Sequence, residues 1–186
     1  MGSIFPVGTP GGIVSGFSGV PNGSGVVRLG SKIMVLDTDR YRIWDAASAA
    51  LEADDLTKWA TSEGIANGQS LVRTLKDSEL LIEVGPNARL QAARVAVRLT
   101  GSCLGNGDSG DATFWVRGPA FDPIEVSILI YELLLRSDGV SPVMELCDFL
   151  DRVRPEITRS PCAEILFDVL PSLVRAGAVR LDLAAR

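Results

Sequence analysis

The sequence predicts an α+β protein made of one unit used twice, each unit having three strands, three helices and a closing short strand. Three observations carry this expectation. The step Asn22-Gly23-Ser24-Gly25 is echoed by Asn106-Gly107-Asp108-Ser109-Gly110, 84 residues on. Each step precedes two apolar runs that end at an aspartate opening a helical pattern, Asp37 and Asp122, 85 residues apart. Each set of helical patterns then gives way to a turn and a short strand. Self-similarity at this spacing indicates two small domains or a pseudo-symmetric pair, here residues 1–86 and 87–186. Units of this size sit near the lower limit for an independent core, which favours packing of one on the other.

Residues 1–25 are rich in Gly, Pro and Ser. They suit either a disordered arm or a strand at Gly12–Phe17 that a glycine-rich turn joins to the next. Val26–Leu29 and Lys32–Leu36 flank the two-residue step Gly30-Ser31, the pattern of a tight hairpin. Asp37 is placed to cap a helix carrying Tyr41, Ile43, Trp44, Ala47 and Leu51. Asp54-Asp55 reads as the cap of a second helix holding Leu56 and Trp59 and stopped by Gly64. A third helix over Gly68–Lys76 has the apolar stripe Leu71, Val72 and Leu75. Leu80–Val84 closes the unit as a strand, and Gly85-Pro86-Asn87 forms the joint.

In the second copy, Arg94–Leu99 alternates apolar with polar residues and takes the place of Gly12–Phe17. Gly105–Gly110 reads as a turn. Ala112–Arg117, Gly118-Pro119 and Ala120-Phe121 repeat the hairpin with a shorter third strand. Asp122, Pro123 and Glu125 suit the cap, first and third positions of a capping box, ahead of a helix holding Val126 to Leu134. Further helices follow Ser141-Pro142 and Ser160-Pro161. Pro171, inside the last of them, is expected to kink or break it. Leu173–Asp182 repeats the ending seen at Leu75–Val84.

Composition narrows the chemistry. The net charge is −5 and the pI about 4.8, which weighs against a nucleic-acid partner, since such affinity rests on Lys and Arg displacing counterions. Histidine is absent, which removes Ser-His-Asp and Cys-His catalysis and the commonest transition-metal ligand. Cys103, Cys147 and Cys162 are far apart and form neither a disulfide framework nor a metal knuckle; they suit small buried residues. Asn106–Asp111 alternates oxygen ligands with glycine as a calcium loop does, but lacks the distal glutamate and reads as a turn. Gly8–Gly12 lacks the lysine of a phosphate loop. The carboxylate pairs Asp54-Asp55 and Glu145 with Asp148 suit a helix cap and a solvated face. No catalytic residue, cofactor or metal is therefore expected. The lack of a long apolar run and of a basic signal region points to a cytoplasmic protein with no membrane partner.

Each copy reads as a winged-helix-type unit. The residues involved are the hairpin Val26–Leu36, the Leu36-Asp37 helix start, the spacing to Ala53-Asp54-Asp55-Leu56, and the closing Leu75-x-x-x-x-Leu80-Leu81. Together they resemble the PqqD-like recognition domains of peptide-modifying gene clusters, winged-helix units with three strands ahead of three helices. The likeness spans Val26–Val84 and, more loosely, Ala112–Leu181, where extra residues follow the first helix. The resemblance implies a leader peptide that adds as a strand beside the third β-strand and packs against the third helix. Lys32, Met34 and Leu36 would then line the edge, and Leu71, Arg73 and Thr74 the helix side. Backbone groups would supply affinity and alternate side chains specificity. As residues alone, Ile33, Val35, Leu71 and Leu75 equally suit a core.

The leading expectation is a non-enzymatic binding or adaptor protein for a peptide or protein partner, in a peptide-modification or natural-product pathway; a homodimer is compatible with it. The alternative is a winged-helix DNA-binding regulator, with the third helix of each unit in the major groove. Its contacts would come from Gln69, Arg73 and Lys76 in the first unit and Arg152, Arg154 and Arg159 in the second. Neighbouring acidic residues, Asp77, Glu79, Glu164 and Asp168, make both a poor phosphate-facing surface.

Overall fold

The computed structural model describes residues 2–16, 18–84, 92–107, 113–119, 122–158 and 161–185. Over those residues the chain is mixed α+β, with small antiparallel sheets and α-helices. It divides into two compact units, Met1–Gly85 and Pro86–Arg186.

In the first unit, β1 (Ser3–Pro6), β2 (Thr9–Val14), β3 (Ser24–Leu29) and β4 (Lys32–Leu36) come first. There follow α1 (Thr38–Ala46), a 3-10 turn (Ala47–Ala49), α2 (Ala53–Ser62), α3 (Gly68–Asp77) and β5 (Leu81–Val84). β1 pairs with β5, while β2, β3 and β4 form a separate meander. Four strands therefore precede the helices, and the arm of the sequence reading is two strands: β2 shares Gly12–Val14 with the expected Gly12–Phe17 strand and pairs with β3, whereas β1 was not expected. Tertiary partners decide this. Ile4 and Phe5 are fully buried, the Ile4 N–H donates to the Leu51 carbonyl at 2.8 Å, and the Val7 N–H donates to that of Leu80 at 2.9 Å. A short strand of weak propensity is held by what it packs on.

The local signals around the hairpin hold. Gly30, with φ +58, opens the two-residue turn between β3 and β4. Asp37 caps α1, its carboxylate accepting from the Arg40 N–H at 2.8 Å. Asp54 and Asp55 do not cap: they lie in the first turn of α2, where their negative charge complements the positive end of the helix dipole, and Glu52 holds the cap position without a side-chain bond. Ile43, Trp44, Leu56 and Leu75 complete the core, and the Trp44 indole N–H donates to the Val7 carbonyl at 3.1 Å. Each such aliphatic side chain contributes about 1.5–3 kcal/mol through burial.

The second unit has the same element order. It runs β6 (Val95–Leu99), β7 (Ser102–Asn106), β8 (Thr113–Arg117), β9 (Ile124–Ser127), α4 (Ile128–Arg136), α5 (Val143–Val153), α6 (Cys162–Arg175) and β10 (Val179–Leu183). β6 pairs with β10, and β7, β8 and β9 form a meander. Val95–Leu99 thus does the work of Ser3–Pro6, not of Gly12–Phe17. Gly105 and Asn106 belong to β7 rather than to a turn; Asp108–Asp111 lie outside the described residues, as do Phe121 and the Gly85-Pro86-Asn87 joint.

The capping box at Asp122 is overturned. Ile124–Ser127 is a strand, and the cap is Ser127, whose hydroxyl accepts from the Ile130 N–H at 3.5 Å. Ile124 and Val126 are β-branched and alternate, Val126 is buried against α4 and β8, and Glu125 accepts from the Thr113 hydroxyl at 2.6 Å. Nor does Pro171 break α6, which runs unbroken from Cys162 to Arg175. Buried Leu166, Leu170 and Leu173 together outweigh a cost of about 3 kcal/mol for an internal proline.

The pairing registers show which residues correspond. β2 and β7 carry the same bulge, between Pro10 and Gly12 and between Cys103 and Gly105. Gly12 and Gly105 both have positive φ, +93 and +104. Arg28 faces Thr9 as Arg117 faces Ser102. Asp37 and Ser127 are the matching caps, and Tyr41 and Tyr131 each lie four residues further on. Asn22-Gly23 and Asn106-Gly107 do not correspond, because Asn106 pairs with Phe114 inside β7.

Candidate functional site

β4 is the outermost strand of the first meander, and among the described residues no strand pairs with its far side. In a two-residue hairpin the closing residues, here Leu29 and Lys32, exchange both hydrogen bonds, and every second pair repeats this. Val27–Met34 and Gly25–Leu36 are those repeats. The N–H and C=O groups of Ile33 and Val35 therefore point away from the sheet, toward open space.

The same two side chains are exposed, Ile33 at 72% and Val35 at 51%. They lie on the face opposite α1, since Gly25 on the other face abuts Tyr41. The core reading is thus wrong for Ile33 and Val35 but right for Leu75, and Leu71 is half-buried. Arg28, opposite Ile33, and the neighbouring Lys32 are both exposed. Neither has an ion pair among the described residues.

Of the residues expected to hold a peptide, Lys32, Met34 and Leu36 lie on β4, with Leu36 buried. Leu71, Arg73 and Thr74 lie on α3. β4 packs on β3 and α1; α3 packs on α1, α2 and β5, so α1 is their common neighbour. The Thr74 hydroxyl donates to the Ser70 carbonyl at 2.9 Å. The signal that identifies Ile33 and Val35 instead is the length of the hairpin loop, which sets the parity of the register.

The residues expected to contact DNA in the first unit do come together. Gln69, Arg73 and Lys76 line a groove of about 620 Å³ between α2 and α3, together with Asp54, Thr57 and Asp77. Its charge is mixed, and Lys76 pairs with Glu83 at 2.5 Å. In the second unit the Arg152 Nε donates to the Asp148 carbonyl at 3.1 Å. Arg154 pairs with Glu132 at 3.2 Å and with Glu156. Arg159 lies outside the described residues.

Two cysteines the sequence places far apart meet. Cys147 on α5 and Cys162 at the start of α6 are buried, and a thiol–thiol hydrogen bond, then burial, pushes the Cys147 pKa up. Burial also raises that of Cys103. Among the described residues no group of His, Cys, Asp or Glu could hold a metal ion, and no helix is long and apolar enough to cross a membrane. No protein-family model, curated protein or solved structure matches the chain.

Proposed function

We propose that the chain is a non-enzymatic binding protein built from two winged-helix-like units that descend from one duplicated module. Its first unit takes up an extended peptide segment along β4. The carrying observation is the open edge: two residues present their backbone groups outward and leave β-branched side chains in water. An added strand would satisfy the former and cover the latter. Arg28 and Lys32 beside them favour a segment with a carboxylate near two aliphatic residues at alternate positions. The matching strand of the second unit is shorter and carries Glu125, a charge of the kind that protects an edge. Recurrence of the bulge, the cap and the first-to-last strand pairing supports duplication, and the PqqD-like resemblance favours a precursor-peptide leader as the ligand.

The test is selection from a random linear-peptide display library, with affinities then measured by fluorescence polarisation. Val35→Pro removes an outward N–H and is expected to weaken the selected peptides at least tenfold. Binders that are indifferent to Val35→Pro, or the lack of any binder, would refute the edge model.

A second reading, duplex DNA at α3, is favoured by the gathering of Gln69, Arg73 and Lys76 in one groove. It requires binding that falls steeply with salt. A flat or absent response removes it.

A further inference from the structure

Arg98 in β6 stands directly opposite Arg180 in β10. Opposed side chains of an antiparallel pair share a face, with Cβ atoms about 4.5–5.5 Å apart, and like charges there repel. Both arginines are half-buried, and neither has an ion pair among the described residues. The Arg98 Nε is fully buried and has no hydrogen-bond partner. A buried donor left unpaired is a costly arrangement.

The neighbouring carboxylates are engaged elsewhere. Asp138 is bridged to Arg98 through the backbone. Its Oδ1 accepts from the N–H groups of Val140 and Ser141, and its Oδ2 from the Ser141 hydroxyl, all at 2.7 Å. Asp182, two residues along β10, is buried and accepts from the Leu183 N–H at 2.9 Å. The chain also makes room for the guanidinium. Gly139 has φ +71, and a Cβ on it would fall 2.7–2.8 Å from the Arg98 Nε, Cζ and Nη2.

The first unit shows that the fold does not need this pair. Leu80 and Ala178 match, since each N–H donates to the leucine at the end of the preceding helix, Leu75 or Leu173. Counting from there, the positions of Arg98 and Arg180 are those of Phe5 and Ile82, which face each other in β1 and β5. Phe5 is fully buried.

We propose that Arg98 and Arg180 form a binding site for a phosphate group. Two guanidinium forks offer parallel N–H donors in the geometry that oxyanions accept bidentately. Two positive charges match a phosphate dianion, whereas a monocarboxylate would leave one of them uncompensated. The bound group would relieve the repulsion across the strands.

The test is isothermal titration of the full chain with inorganic phosphate at fixed ionic strength, alongside thermal unfolding. At phosphate about fivefold above the dissociation constant, Tm of the full chain is expected to rise by about 2–4 °C. The double variant Arg98→Phe, Arg180→Ile carries the first unit's pair and is expected to lose the response. Arg180→Gln, the milder change, is expected to weaken binding at least tenfold. Phenyl phosphate binding more tightly than inorganic phosphate would assign the site to an esterified group, and the reverse to the free ion. Equal effects from acetate or chloride, or an undiminished response in Arg180→Gln, would overturn the proposal.

Discussion

Gly25 has no side chain because Tyr41 occupies the space: a Cβ there would lie 1.9 Å from the Tyr41 ring. The matching residue of the second unit, Phe114, instead stacks on Tyr131 with centroids 4.4 Å apart. One site is filled from the helix and the other is shared between strand and helix. Gly25→Ala is expected to displace Tyr41 and its stack on Trp44, costing about 1–3 kcal/mol in urea denaturation. A second residue-scale effect concerns pH. Hydrogen bonds, first from the Ser141 N–H and then from its hydroxyl, hold the Asp138 pKa below the ordinary aspartate value of 3.8. A carboxylate depressed in the folded state stabilises above its unfolded pKa, and that contribution disappears as pH falls through the folded one. Asp138→Asn should therefore lower Tm at neutral pH, and the difference from wild type should shrink below pH 3.8. A constant difference across the acid range would show that the charge plays no part.

At the scale of elements, β4 separates two roles by parity. Met34 bonds inward to β3, while Val35 faces outward. Proline at either place removes one N–H, but only at Met34 is that donor part of the sheet. Met34→Pro is expected to lower the urea midpoint clearly more than Val35→Pro, and equal losses would show that the register is misassigned. α6 illustrates competition between local and tertiary terms. Pro171 argues for a break, yet the buried leucines on either side of it hold one continuous helix. Ile124–Ser127 shows the same competition in a strand. Its Asp-Pro-x-Glu pattern suits a helix start, but pairing with β8 prevails.

For the whole molecule, closure of each unit by its own first and last strands is the main organising feature. β1 reaches β5 and β6 reaches β10, so each unit completes its sheet from its own residues. A fragment ending at Gly85 is accordingly expected to unfold cooperatively in urea, monitored by circular dichroism and Trp44 fluorescence. A broad, non-cooperative transition would show that the first unit depends on the rest of the chain. The number of elements is small enough that such a fragment sits near the limit of independent stability, so a modest midpoint is part of the expectation.

The sequence alone determined the mixed α+β class, the Gly30-Ser31 hairpin, the Asp37 cap and the bounds of α3 to within a residue. Each is a local property, set by backbone preference or by contacts within a few residues. Tertiary structure decided the rest. Ile4 and Phe5 read as part of a Gly-, Pro- and Ser-rich arm until β5 and Leu51 are beside them. The cap of α4 moves from Asp122 to Ser127 because a neighbouring strand claims the residues between. The candidate site follows the same division. β4 as an edge was legible, and the two-residue Gly30-Ser31 loop carries the parity that turns Ile33 and Val35 outward, but the meeting of Cys147 with Cys162 and the opposition of Arg98 and Arg180 were not legible. Those depend on register and on contacts between residues distant in the chain, which no local pattern encodes.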